Sequence, residues 1–198
     1  MTTSHVDTWT GGLRADLSKI LLSEAQIQDR IAALGRTLCA EYAGKDPLLV
    51  GILSGSFLFI ADLVRQMNIP LSIDFMAVSS YGDRTTSSGV VRILKDLNSP
   101  ISGRHVLLVE DIVDSGLTLD YLCKNLRTRQ PASLEICALL DKVDARRRQL
   151  PVRYVGFECP NEFVVGYGLD YRGRYRNLPF IGVLRPEVYT AAPEGGES

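Results

Sequence analysis

Thirteen residues constrain this chain more than any others: Val-Leu-Leu-Val-Glu-Asp-Ile-Val-Asp-Ser-Gly-Leu-Thr, at 106–118. Residues 106–109 are all apolar, so as a strand they offer no polar face and must be covered on both sides. Two adjacent acids, Glu110 and Asp111, follow where that strand ends. Asp114 comes three residues later, and Ser115, Gly116, Leu117 and Thr118 open a run at helical spacing. A buried strand that feeds a helix through a glycine turn is the unit of a doubly wound, mostly parallel α/β sheet. Ligands of such sheets bind beyond the carboxyl ends of the strands.

Other segments repeat the pattern. Ile27, Ile31, Leu34 and Leu38 recur at helical spacing, and Ser23 is placed to cap a helix over 23–43. An apolar run at 48–53 enters Ser54-Gly55-Ser56 and then a helical pattern over 57–66. Strands are expected at 71–79, 90–94 and 134–140, and a helix at 117–129. Residues 81–89, rich in Gly, Ser and Thr, read as a loop or arm. The ranges 154–157 and 163–165 are short apolar runs, and the chain beyond Pro186 reads as frayed. There is no internal repeat. The expectation is one domain over 1–198, with its core at about 45–185 and loosely ordered termini.

Composition excludes several classes. Twenty-two basic against 23 acidic residues leave a net charge of -1, so no global field favours nucleic acid or an anionic membrane. The best apolar window, 47–64, is interrupted by Ser54, Gly55, Ser56 and Asp62, which is unsuited to spanning a bilayer. The four cysteines, Cys39, Cys123, Cys137 and Cys159, do not lie at metal-finger spacing. They read as reduced, mostly buried thiols of a cytoplasmic protein. Arg146, Arg147 and Arg148 form a charge run, which is most often a solvated surface.

The turn at 110–118 has a phosphate cradle in its second half. Gly116 lets backbone approach an anion, Ser115 and Thr118 donate hydroxyl hydrogen bonds, and helix-start amides face the ligand. The Gly-Lys-Ser/Thr pattern of a nucleoside-triphosphate loop is absent. Two acids beside such a cradle would repel an anion unless they bind sugar hydroxyls or a divalent metal. The plainer alternative is that Asp114 or Ser115 only caps the helix. Capping needs one such residue, whereas this turn supplies several.

The turn resembles the ribose-phosphate-diphosphate motif of type I phosphoribosyltransferases, and downstream residues narrow the resemblance to the hypoxanthine-guanine group, over about 48–184. The resemblance implies the type I fold with a small hood subdomain. It places Glu110 and Asp111 on the ribose hydroxyls and on magnesium, and Asp114 as general base at purine N7. Ser115, Gly116, Leu117 and Thr118 then hold the 5-phosphate. Lys142 matches the lysine that donates to the purine 6-oxygen, although lysines are mostly exposed. In the second matching stretch, 162–171, Phe163 would stack on the purine and Val164 would read its edge. On residue type alone Phe163 could equally be core. Asp170 would sit near base and metal.

The same resemblance makes Ser54 and Gly55 part of a pyrophosphate loop, with Ser54 where the family often carries lysine and a cis peptide falling at Leu53-Ser54. Arg176 would contact pyrophosphate, a role suited to a guanidinium. Ser80 and Tyr81 match a loop that closes over the site; the plainer reading is a surface hairpin. The implied reaction joins 5-phosphoribosyl-1-pyrophosphate and hypoxanthine or guanine, in a homodimer or homotetramer that binds neither nucleic acid nor membrane. Competing readings are a xanthine-preferring enzyme and an RNA-binding regulator built on the same fold. The latter needs a basic face that the balanced charge does not supply.

Overall fold

The computed structural model describes residues 12–81, 90–148 and 150–190. They fall into two compact units: a larger one over Gln28–Asn161, and a smaller one gathering the described residues up to Ile27 and from Glu162 onward.

Helix α1 is Gly12–Ala15 and strand β1 is Leu17–Leu22. Helix α2, Glu24–Tyr42, begins at a reciprocal cap. Ser23 Oγ accepts from Gln26 N at 3.3 Å, and Ser23 N donates to Gln26 Oε1 at 2.9 Å. Then come β2 (Leu48–Leu53), α3 (Phe57–Arg65), β3 (Ser72–Tyr81), β4 (Val90–Lys95), β5 (His105–Val113) and α4 (Leu117–Arg127). Strand β6 (Ser133–Asp141), a 3-10 turn (Val143–Ala145), β7 (Tyr154–Glu158), β8 (Val164–Val165), β9 (Ile181–Leu184) and α5 (Pro186–Thr190) complete the order.

The larger unit is built on a six-stranded sheet in the order β4-β3-β2-β5-β6-β7. Every pairing is parallel except β3 with β4. The strand order reverses direction between β2 and β5, a switch point where a crevice opens at the strand ends. Val106, Leu107, Leu108 and Val109 are fully buried, as an apolar central strand requires. One face packs Leu48, Val50, Val106 and Leu108 against Leu119, Leu122 and Leu126 of α4. On the other face Gly51 lies so close to Ile60 of α3 that a Cβ would meet its Cδ1 at 3.1 Å. Arg30 of α2 donates to the carbonyls of Gly156 and Val155 of β7, both at 2.7 Å, which satisfies backbone on an edge strand.

The smaller unit holds the antiparallel sheet β1-β9-β8 around Leu17, Val165, Tyr175, Phe180 and Leu184. Tyr175 donates its hydroxyl to Asp16 Oδ2 at 2.7 Å. Burial, then that carboxylate, push the phenol up to about 12.

Several expectations change. β5 runs on through the two acids to Val113, because β6 continues to pair with it as far as Val113↔Asp141. α4 stops at Arg127, earlier than the expected 129. Tyr81 is a strand residue, not a loop residue, since it pairs with Val90. β1 and β9 carry no strong sequence signal, and they form by pairing with each other across the chain ends. Residues 186–190, expected to be frayed, form α5, and Val188 and Tyr189 pack on the smaller core. Arg146 is not a solvated charge: it forms an ion pair with buried Asp141, with Arg146 Nε donating to Asp141 Oδ1 at 2.8 Å.

Candidate active site

The carboxyl ends of β2 and β5 open into a cleft lined by Leu53, Gly55, Glu110, Asp111, Asp114, Ser115, Gly116 and Thr118. The β5–β6 register decides what stands beside it. With Val113 opposite Asp141, the next residues, Asp114 and Lys142, leave the sheet side by side. Lys142 N donates to Val113 O at 2.9 Å, and Lys142 Nζ lies 3.8 Å from Asp114 Oδ2. The lysine is 8% exposed, against the usual preference of its type, whereas the Asp114 side chain is 59% exposed. A sheltered ammonium therefore sits beside an open carboxylate, a donor and an acceptor for one flat polar ligand.

Neither Asp114 nor Ser115 is the N-cap residue of α4. The N-cap is Gly116, in the left-handed region at φ 75° and without a side chain to bond the helix, and Ser115 Oγ accepts from Leu117 N at a long 3.5 Å. This conformation suits glycine, which puts no Cβ at the N-cap, so an anion could approach the backbone there. The chain after the 3-10 turn packs on this helix start from outside. Arg147 N donates to Ser115 O at 3.0 Å, and a Cβ on Gly116 would meet Leu150 Cδ1 at 3.0 Å.

The turn after β2 contains the cis peptide Leu53-Ser54, at the position that the resemblance implies. Ser54 is exposed, and Ser56 donates its hydroxyl to Ile52 O at 2.7 Å. Gly55 packs directly on an acid of the next strand: a Cβ there would lie 1.6 Å from Asp111 Oδ2. The two turns are thus fitted to each other at Gly55, a contact between segments 56 residues apart that no local spacing signals.

Glu110 Oε2 is buried without a hydrogen-bond partner among the described residues. Burial, reinforced by the neighbouring Asp111 carboxylate, raises the Glu110 pKa well above the ordinary range. An orphaned carboxylate oxygen beside a second acid suits a divalent cation or the hydroxyls of a sugar. Among the described residues no cluster of three ligating side chains exists, so a metal held here would draw further ligands from substrate.

In the smaller unit, Phe163 is partly buried. Its ring stacks on Tyr189 at 5.0 Å between centroids and meets Tyr171 edge-on at 5.5 Å. Val164 is buried in β8 opposite Val183. Asp170 Oδ1 pairs with Arg176 Nη2 at 2.8 Å, and Asp170 Oδ2 accepts from Gly173 N at 2.8 Å. Arg176 also donates to Gly168 O. Arg172 and Arg174 are exposed. Ser80 and Tyr81 belong to β3, paired with Val91 and Val90, and the arm beyond them, 82–89, lies outside the described residues. No helix among the described residues is long and apolar enough to cross a membrane.

The family model of the phosphoribosyl transferase domain matches residues 18–172. The hypoxanthine-guanine phosphoribosyltransferase of Mycobacterium avium is 55% identical over 180 residues, covering 88% of this chain and 89% of that protein. The bifunctional protein TilS/HprT of Listeria innocua is 53% identical over 175 residues; the match covers 88% of this chain but only 27% of that longer protein. A crystal structure of a hypoxanthine phosphoribosyltransferase from Staphylococcus aureus superposes with a TM-score of 0.88 at 49% identity, covering 91% of this chain and 98% of the other. The chain belongs to the phosphoribosyltransferase family, and within it to the hypoxanthine-guanine phosphoribosyltransferases.

Proposed function

We propose that this chain transfers the 5-phosphoribosyl group from 5-phosphoribosyl-1-pyrophosphate to hypoxanthine or guanine, yielding the nucleoside monophosphate and pyrophosphate. The observation that carries this reading is buried Lys142 standing 3.8 Å from open Asp114 beside a helix whose N-cap is a glycine. Lys142 donates to the 6-oxygen of the base. An amino group there would set donor against donor, so adenine is rejected. Asp114 accepts the N7 proton as N9 forms its bond to the ribose C1 and the bond from C1 to the pyrophosphate oxygen breaks. Ser115, Gly116, Leu117 and Thr118 hold the 5-phosphate, and Glu110 and Asp111 accept from the ribose hydroxyls.

Ser54 and Gly55 bind pyrophosphate through their amides. Arg176 adds donors from a guanidinium with five N–H groups. Phe163 offers its ring to the purine, and Val164 and Asp170 read the base edge. Ser80 and Tyr81 begin the arm that closes to exclude water from a sugar carbon gaining positive charge.

Membership in the family implies a reaction that depends on a divalent metal. We propose magnesium, held by Glu110 and Asp111 with a contribution from Asp170. When bound it neutralises charge on the leaving pyrophosphate. We further propose that residues 1–198 work as one catalytic domain, as a homodimer or homotetramer. A reducing cytoplasm suits its four free thiols.

The deciding experiment is steady-state turnover of hypoxanthine, guanine, xanthine and adenine with magnesium and the activated ribose. Preference for the first two supports the reading, and preference for xanthine or adenine replaces it. Asp114→Asn should cut turnover by roughly a hundredfold or more, the size of a lost general base, while nucleotide still binds. Unchanged turnover removes Asp114 from the base role.

A further inference from the structure

The arginine run 146–148 is not used by the proposed chemistry, yet the fold lays it against the phosphate cradle. Arg146 is consumed by structure: its guanidinium pairs with buried Asp141, and its Nη1 donates to Leu150 O at 3.0 Å. That anchor fixes both ends of the connector. Arg147 N then reaches Ser115 O at 3.0 Å. Arg148 flanks the N-cap glycine of α4, where a Cβ on Gly116 would lie 3.6 Å from Arg148 O and 3.7 Å from Arg148 Cβ. Arg148 is exposed, and among the described residues its side chain makes no ion pair or hydrogen bond.

The charge balance around the cleft gives that free cation a purpose. Glu110, Asp111 and Asp114 all line it, and the buried Lys142 already faces Asp114. A phosphate dianion entering beside three acids needs positive charge on its own side of the cleft. Backbone amides and hydroxyls supply dipoles there but no net charge. A divalent metal held by Glu110 and Asp111 would neutralise the pyrophosphate end of the donor, not the 5-phosphate end.

We propose that Arg148 is a substrate-binding residue for the 5-phosphate, held next to the N-cap glycine of α4 by the Arg146–Asp141 anchor. This rests on the phosphoribosyl-transfer reading and adds a side-chain cation to a site otherwise made of amides and hydroxyls. Arg148 folds its guanidinium over the cradle when the phosphate arrives and gives one charge-assisted hydrogen bond to a phosphate oxygen.

The test is calorimetric binding of 5-phosphoribosyl-1-pyrophosphate, and separately of pyrophosphate, each with magnesium, to the wild-type chain and to Arg148→Ala, Arg148→Lys and Arg148→Glu. Arg148→Ala should weaken the donor roughly tenfold, the worth of one charge-assisted hydrogen bond, and leave pyrophosphate affinity unchanged. Arg148→Lys should recover most of the loss, Arg148→Glu should exceed it, and Arg148→Ala should lessen the salt dependence of donor binding. Equal donor affinity in wild type and Arg148→Ala overturns the proposal. So does an equal loss in Arg148→Ala and Arg148→Lys with a lowered melting temperature, since that marks a packing role. A wild-type chain that fails to bind the donor at all overturns the functional reading itself.

Discussion

Gly55 is a position with room for hydrogen and nothing else, because the Asp111 carboxylate lies where a Cβ would stand. Gly55→Ala must therefore either push Asp111 aside or lift the turn after β2, and both displace groups assigned to the donor. The expected result is a loss of roughly a hundredfold in kcat/KM for the activated ribose, since displacements near 1 Å can cost that much. Thermal unfolding should show a chain that is still folded. Activity near wild type would mean that the two turns are not fitted to each other as the contact implies. At this scale the residue types of the cleft were legible in the sequence: Glu110, Asp111, Asp114, Ser115, Gly116 and Thr118 all line it. Lys142 and Arg146 were not legible by type, because burial overrides the usual preference of long cations for solvent. Buried Asp141 gives Arg146 a partner, and the strand end shelters Lys142.

Among the elements, β3 and β4 depend on one buried acid. Asp74 is 7% exposed and accepts from Asn98 N at 2.7 Å, Asn98 Nδ2 at 2.8 Å, Phe75 N at 2.8 Å and Lys95 Nζ at 3.2 Å. Burial alone would raise its pKa. The hydrogen bonds from Asn98 and Phe75, together with Lys95, more than offset that and hold it below the ordinary 3.8. A carboxylate depressed by folding stabilises above its unfolded value and loses that contribution as pH falls through its folded value. Asp74→Asn should therefore cost about 1–3 kcal/mol at neutral pH, by leaving buried donors poorly matched. The cost should start to shrink as pH falls below 3.8, where the unfolded chain takes up the proton, and be smallest below the still lower folded value, where the native acid does too. Denaturant melts of both chains between pH 2 and pH 7 measure this, and a cost independent of pH would rule out an ionised Asp74. The β3–β4 pair carries Ser80 and Tyr81 at its other end, from which the proposed arm departs.

For the whole molecule, the thiols report how completely the core is closed. Burial pushes Cys123 up to about 11 and Cys137 up to about 12, Cys159 is also buried, and Cys39 alone is partly exposed. Since the thiolate is the reactive form, one thiol should react quickly with a disulfide reagent at pH 8 and four in denaturant. Three or four fast thiols in the folded chain would contradict the packing of α4 and β6. The sequence by itself determined the alternation of strands and helices, the both-faced burial of β5 and the turn of hydroxyls and glycine at its end. Those are local matters, written in apolar runs, hydroxyls and glycine. Only the tertiary structure decided which distant residues meet. The β5–β6 register sets Lys142 beside Asp114, the parallel pairing of β2 with β5 presses Gly55 onto Asp111, and the ion pair with Asp141 takes Arg146 out of a run whose other two arginines stay exposed. Register and close approach are collective properties of packed elements, and no spacing within a single segment encodes them.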